Sequence, residues 1–144
     1  MSPPNSKPLR ILFVEDNDLL REQITELMAA ADREIVACES AEAALTEYER
    51  QSFDVMVTDM SLPVMSGAEL VRRILQKKPD AWIVISSGYS LQAEWNKLGP
   101  NIRVLPKPFE SEQIDVLLND VRLTLSSRED QEVSRRGAES AEKK

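Results

Sequence analysis

Short runs of β-branched and apolar residues alternate with longer stretches of helical periodicity along most of this chain. That alternation narrows the accessible folds more than any other feature of the sequence. Arg10–Val14, Glu34–Cys38, Val55–Thr58, Trp82–Ser86 and Ile102–Leu105 read as five short buried strands. Between them, Asn17–Ala31 carries Leu20, Ile24, Leu27 and Met28 at helical spacing. A second helix begins at the capping residue Ser40 and runs through Ala44, Leu45 and Tyr48 to about Arg50. Ser66–Lys77 repeats the pattern with Leu70, Val71, Ile74 and Leu75, and Pro79 stops it. Glu110–Leu125 is a last helix with Ile114, Leu117, Leu118, Val121 and Leu125 on one face. The connection after the fourth strand has room only for a brief helix near Leu91–Leu98, closed by Gly99–Pro100. Strands without polar alternation, separated by helices, imply an α/β domain whose parallel sheet is covered on both faces.

A chain of 144 residues with 42% apolar composition suits one such domain, here bounded at 9–125. Residues 1–8 are a short polar, proline-containing segment, and the start shows no signal-peptide pattern. Residues 126–144 are rich in Arg, Glu, Asp, Ser and Lys, with Val133 the only sizeable apolar residue. Such a tail is expected to be disordered or to lengthen the last helix. The net charge of −7 argues against a nucleic-acid partner, and no apolar run reaches membrane-spanning length. Cys38 is the single cysteine, so no disulfide forms within the chain, as suits a protein of the cytoplasm. The chain has no histidine. His-based acid/base chemistry, His–metal clusters and a phosphohistidine carrier are thereby excluded, and a carboxylate is the expected acceptor of any phosphoryl group.

In parallel sheets the reactive groups gather beyond the carboxyl ends of the strands. Those ends supply Glu15 and Asp16 after the first strand, Asp59 after the third and Lys107 after the fifth. If the first strand lies between the second and third, the three carboxylates converge, and their repulsion calls for a cation. A hard divalent ion with oxygen ligands answers that need, and Mg²⁺ accepts few carboxylates alongside waters and phosphate oxygens. Lys107 adds a mobile positive charge. Asp59 then has the surroundings of a carboxylate nucleophile able to form an acyl phosphate. Taken singly, Glu15 and Asp16 are helix-start acids, Asp59 a turn residue and Lys107-Pro108 a loop; the combination carries the reading.

That combination resembles the receiver family of response regulators, with its CheY-like, flavodoxin-like fold. The resemblance spans about Leu9 to Leu125. It rests on F-V-E-D-N-D, on D-M-S-L-P-V-M-S-G from Asp59, on S-S-G-Y, and on L-P-K-P-F around Lys107. It implies a doubly wound five-stranded sheet of order 2-1-3-4-5. It further implies Asp59 as phosphoacceptor, with Asp16, Asp59 and the Ser61 main-chain carbonyl on Mg²⁺ and Glu15 acting through a metal-bound water. Lys107 would pair with the phosphoryl oxygens, and Ser87 would be the hydroxyl that turns toward them, with Ser86 its substitute if the register shifts by one. The family's frequent aromatic switch, three residues before the lysine, is Val104 here, which leaves Tyr89 as the replacement read-out.

The resemblance implies a sensor histidine kinase or histidine phosphotransfer protein as donor and a protein output partner that the sequence does not name. Dimerisation is common in the family, and no face of this sequence commits to it. The chain would be either a stand-alone regulator or the receiver of a hybrid sensor kinase, catalysing only its own phosphorylation and dephosphorylation. One alternative is a receiver-like scaffold that works without phosphate. Another is an aspartyl phosphatase of the haloacid dehalogenase type, which Ser61 opposes by standing where those enzymes resemble one another in a second Asp.

Overall fold

The computed structural model describes residues 8–60, 62, 64–87, 99–106 and 109–125. The brief helix expected near Leu91–Leu98 and the tail at 126–144 lie outside these residues, as do Ser61, Tyr89 and Lys107. Five parallel strands form one sheet: β1 (Leu9–Val14), β2 (Arg33–Cys38), β3 (Val55–Asp59), β4 (Trp82–Ser87) and β5 (Ile102–Pro106). Their spatial order is β2-β1-β3-β4-β5, as expected. The helices are α1 (Asp18–Met28), α2 (Ala41–Arg50), α3 (Gly67–Lys77) and α4 (111–125).

Alternate residues of each strand feed two separate cores, because successive Cβ atoms point to opposite faces. Leu12, Val14, Met56, Ile83 and Ile85 pack with Ala41 and Ala44 of α2 and Leu70, Val71 and Ile74 of α3. Ile11, Phe13, Val55, Val57, Trp82 and Val84 pack on the other face with Ile24 and Met28 of α1 and Ile114, Leu118 and Val121 of α4. Both faces of β1, β3 and β4 are therefore dry, and the strands that carry the expected site are the most firmly seated.

Each of the first three helices starts on a side-chain cap. Asn17 Oδ1 accepts the Leu20 amide at 2.9 Å, Ser40 Oγ the Ala43 amide at 3.1 Å, and Ser66 Oγ the Glu69 amide at 3.2 Å. The sequence predicts α1 as far as Ala31, but it ends at Met28, and the Ala29 backbone is already extended. The chain has to turn there into β2: the Arg33 amide bonds the Ala30 carbonyl, and the Asp32 carbonyl accepts the Leu9 amide at 2.8 Å. Leu27 is 42% exposed, because the stripe that meets the sheet centres on Ile24 and Met28. Every strand is one residue longer than its hydrophobic run, at one end or the other, and three of the added residues (Asp59, Ser87 and Pro106) sit at the carboxyl edge. Across the α1–α4 layer, Arg33 Nη1 reaches the Asp115 carboxylate and the Met28 carbonyl at 2.8 and 2.9 Å. No helix among the described residues is long and apolar enough to cross a membrane.

Truncating Ile74, which is fully buried between α3 and the sheet, is expected to cost about 2–5 kcal/mol. Leu27→Ala should stay within about 1 kcal/mol. Urea unfolding with unchanged m-values measures both.

Candidate functional site

Because β1 lies between β2 and β3, its carboxyl end and that of β3 meet at one edge of the sheet. Val14 pairs with Thr58, so the next residues outward, Glu15 and Asp59, stand level with one another. One carboxylate oxygen each from Glu15, Asp16 and Asp59 lies within 4.8 Å of the others. Glu15 is only 2% exposed, Asp59 is half-buried and Asp16 is open to solvent. Such an oxygen-only trio is the donor set that a hard divalent cation takes.

The loop after β1 is held by its own polar groups. The Glu15 amide donates to the Cys38 carbonyl at 3.0 Å, and its carboxylate accepts the Asn17 amide at 3.1 Å. Arg21, one turn into α1, donates to the Glu15 carbonyl at 2.9 Å and to Asp18 at 2.6 Å. Arg21 is a supporting residue that the sequence reading missed. The only signal for it was an Asp–Arg pair three residues apart, which is common on any helix surface.

Asp59 is fixed from behind by its backbone neighbours. The Thr58 hydroxyl, fully buried, donates to the Asp59 carbonyl at 3.0 Å. The Met60 amide bonds the Ser86 carbonyl at 3.2 Å, and the Gly67 amide bonds the Met60 carbonyl at 3.0 Å. A Cβ on Gly67 would come within 2.2 Å of the Asp59 carbonyl oxygen and 2.9 Å of the Met60 Cα, so the close approach admits only glycine. Between these anchors Val64 has φ of 68° and is 97% exposed, a left-handed conformation unfavourable for a β-branched side chain.

Of the remaining expected site residues, Ser87 ends β4 with its backbone paired to Pro106. Ser61 and Lys107 fall outside the described residues. Val104 is partly buried against the α2–α3 core, which leaves no aromatic ring at that position. The Asp59–Ser86 pairing places Ser86 level with the acidic residue and Ser87 one step beyond it.

Cys38, at the tip of β2, is buried, and burial first, then the Glu47 carboxylate, pushes its thiol up to about 11 against a small opposing effect of Arg21. An exposed thiol in the unfolded chain ionises near 9. Between pH 9 and 11 the unfolded chain therefore sheds a proton that the folded one keeps. Stability should be insensitive to this group below pH 9, fall up to pH 11 and then level. Cys38→Ala should remove that slope in unfolding midpoints measured across the range. At the other edge of the site, Gly67→Ala is expected to lower stability by about 1–3 kcal/mol and to shift the amide resonances of Asp59 and Met60. Gly99→Ala, whose methyl would meet the Leu75 side chain at 3.2 Å and the Pro79 carbonyl at 3.3 Å, should be milder.

Comparison with known proteins places this geometry in a family. The sequence profile described as the response regulator receiver domain matches residues 11–119. The response regulator protein FleR of Pseudomonas aeruginosa is 32% identical over 80 residues, which cover 56% of this chain and 17% of FleR. The chain therefore spans a small part of that relative. The chemotaxis protein CheY of Listeria monocytogenes is 27% identical over 110 residues, covering 74% of this chain and 92% of CheY. Among solved structures, the signal receiver domain of an HD domain-containing protein from Pseudomonas fluorescens Pf-5 superposes with a TM-score of 0.76. It is 22% identical, and the match covers 84% of this chain and 99% of that one. Sheet order, the acidic strand tips and a profile match over most of the chain agree: this chain belongs to the receiver domain family of two-component response regulators.

Proposed function

We propose that residues 9–125 form a receiver that takes a phosphoryl group onto Asp59 in a Mg²⁺-dependent reaction and thereby changes which protein it binds. The observation that carries this reading is the convergence of Glu15, Asp16 and Asp59 from two separate strand tips to within 4.8 Å. Three carboxylates gathered so closely would suit a hard divalent cation, which takes oxygen ligands and keeps room for waters and phosphate oxygens.

In this assignment Asp16, Asp59 and the main-chain carbonyl of Ser61 would hold the ion directly, and the buried Glu15 would act through a water. Bound there, the ion would neutralise the phosphoryl oxygens and align the transferred group. One Asp59 carboxylate oxygen attacks phosphorus, and the bond to the donor nitrogen breaks with its electron pair leaving on the imidazole. Lys107 pairs with the phosphoryl oxygens and Ser87 turns its hydroxyl toward them, which couples the chemistry to loop position. A histidine kinase or histidine phosphotransfer protein is the donor, and the reaction takes place in the cytoplasm. A population shift of a few kcal/mol is enough to alter partner binding. The chain does this either as a protein of CheY's proportions or as one part of a longer sensor, catalysing only the making and breaking of its own phosphoaspartate.

Incubation with Mg²⁺ and acetyl phosphate is expected to add one phosphoryl mass to the intact wild-type chain. Asp59→Asn should abolish that increment, and chelation of the metal should do the same. A wild-type chain of unchanged mass would instead mark a scaffold that works without phosphate.

A further inference from the structure

The hydroxyl of Ser86 is a buried polar group that neither the packing nor the proposed roles account for. Ser86 is 3% exposed, and its Oγ has no hydrogen-bond partner among the described residues. Its surroundings call for an apolar side chain: Val84 lies two residues before it on the same strand face, and Leu105 is its partner on β5. Hydroxyls in such places are normally satisfied, and one left over marks a position with another use.

The strand register shows what lies beside it. Asp59 of β3 pairs directly with Ser86 of β4, and paired residues of adjacent parallel strands project to the same face. The rows below confirm the sense. Val57 and Val84 pair and enter the α1–α4 core together, while Met56 and Ile83 pair and enter the α2–α3 core. Two residues on from Val57 and Val84, Asp59 and Ser86 return to the α1–α4 face. Neighbouring strands are about 4.8 Å apart, a gap that a serine Oγ and an aspartate carboxylate span by side-chain rotation. The main chain holds the pair in step, because the Ser86 carbonyl takes the Met60 amide. Ser87 is the next residue of the strand and a different group.

We propose that Ser86 is a positioning and charge-stabilising residue of this site, its hydroxyl donating to the Asp59 carboxyl oxygen that does not carry phosphorus. This rests on Asp59 being the phosphoacceptor. A hydrogen bond to a carboxylate is about twice as strong as one to a neutral acyl oxygen. The Ser86 donor therefore stabilises free Asp59 more than phospho-Asp59. In hydrolysis a water oxygen attacks phosphorus and the bond from phosphorus to the Asp59 oxygen breaks. The electron pair stays on the carboxylate, and a water proton is released with inorganic phosphate. A hydroxyl that turns onto that carboxylate favours its departure, so Ser86 shortens the life of the phosphorylated state.

The test phosphorylates the full chain with acetyl phosphate and Mg²⁺, removes the donor, and follows loss of the phosphoryl mass with time. Ser86→Ala is expected to lengthen the half-life of phospho-Asp59 roughly threefold to tenfold, the differential worth of one charge-assisted hydrogen bond. Ser86→Thr, which keeps the hydroxyl, should restore decay to near the wild-type rate. Mg²⁺ affinity and the unfolding midpoint of Ser86→Ala should not fall, which separates the effect from a loosened fold. A Ser86→Ala half-life within twofold of wild type, or equal changes in the Ala and Thr variants, would overturn the assignment while leaving Asp59 as acceptor. A wild-type chain that gains no phosphoryl mass overturns both.

Discussion

Three acidic side chains held within 4.8 Å of one another repel, and the architecture is organised around keeping them there. Glu15 carries the further burden of burial, which the Asn17 amide at its carboxylate partly offsets. No loop could hold such an arrangement alone. The strands beneath it can, because β1 and β3 are buried on both faces and paired along their lengths. Hydrophobic cohesion of the two cores stabilises what the charges at the rim oppose, and a divalent cation would remove the opposition.

Anchored and strained backbone lie within a few residues of each other around Asp59. Behind it, the Thr58 hydroxyl, the Met60–Ser86 bond and the close approach of Gly67 tie the backbone down. Ahead of it, Val64 stands almost wholly in solvent with a left-handed backbone that costs roughly 1–2 kcal/mol for a side chain of its type. The anchored backbone and the strained residue meet at the junction of β3 and α3.

Much of this was legible from residue order. The β-branched runs located all five strands, Ser40 announced the start of α2, and Pro79 marked the limit of α3, because these signals act over a few residues and do not depend on distant contacts. Leu27 and the end of α1 were misread for the converse reason. Helical spacing says which residues share a face, but the width of the stripe that meets the sheet depends on where β2 must begin. Arg21 was missed because an Asp–Arg pair on a helix looks the same whether or not its guanidinium also reaches a strand-tip carbonyl.

The sequence by itself determined the kinds of element, their order, the acidic character of the strand tips and, through the absence of histidine, that no imidazole of this chain can be an acceptor. Only tertiary structure decided that Glu15 stands level with Asp59, that Gly67 presses on the Asp59 carbonyl, and that Ser86 shares a face and a register position with it. The physical reason is range. Propensity, capping and periodicity are local and are written in neighbouring residues. Strand register and close approach are set by packing between segments tens of residues apart, where a slip of one residue sends every side chain to the opposite face.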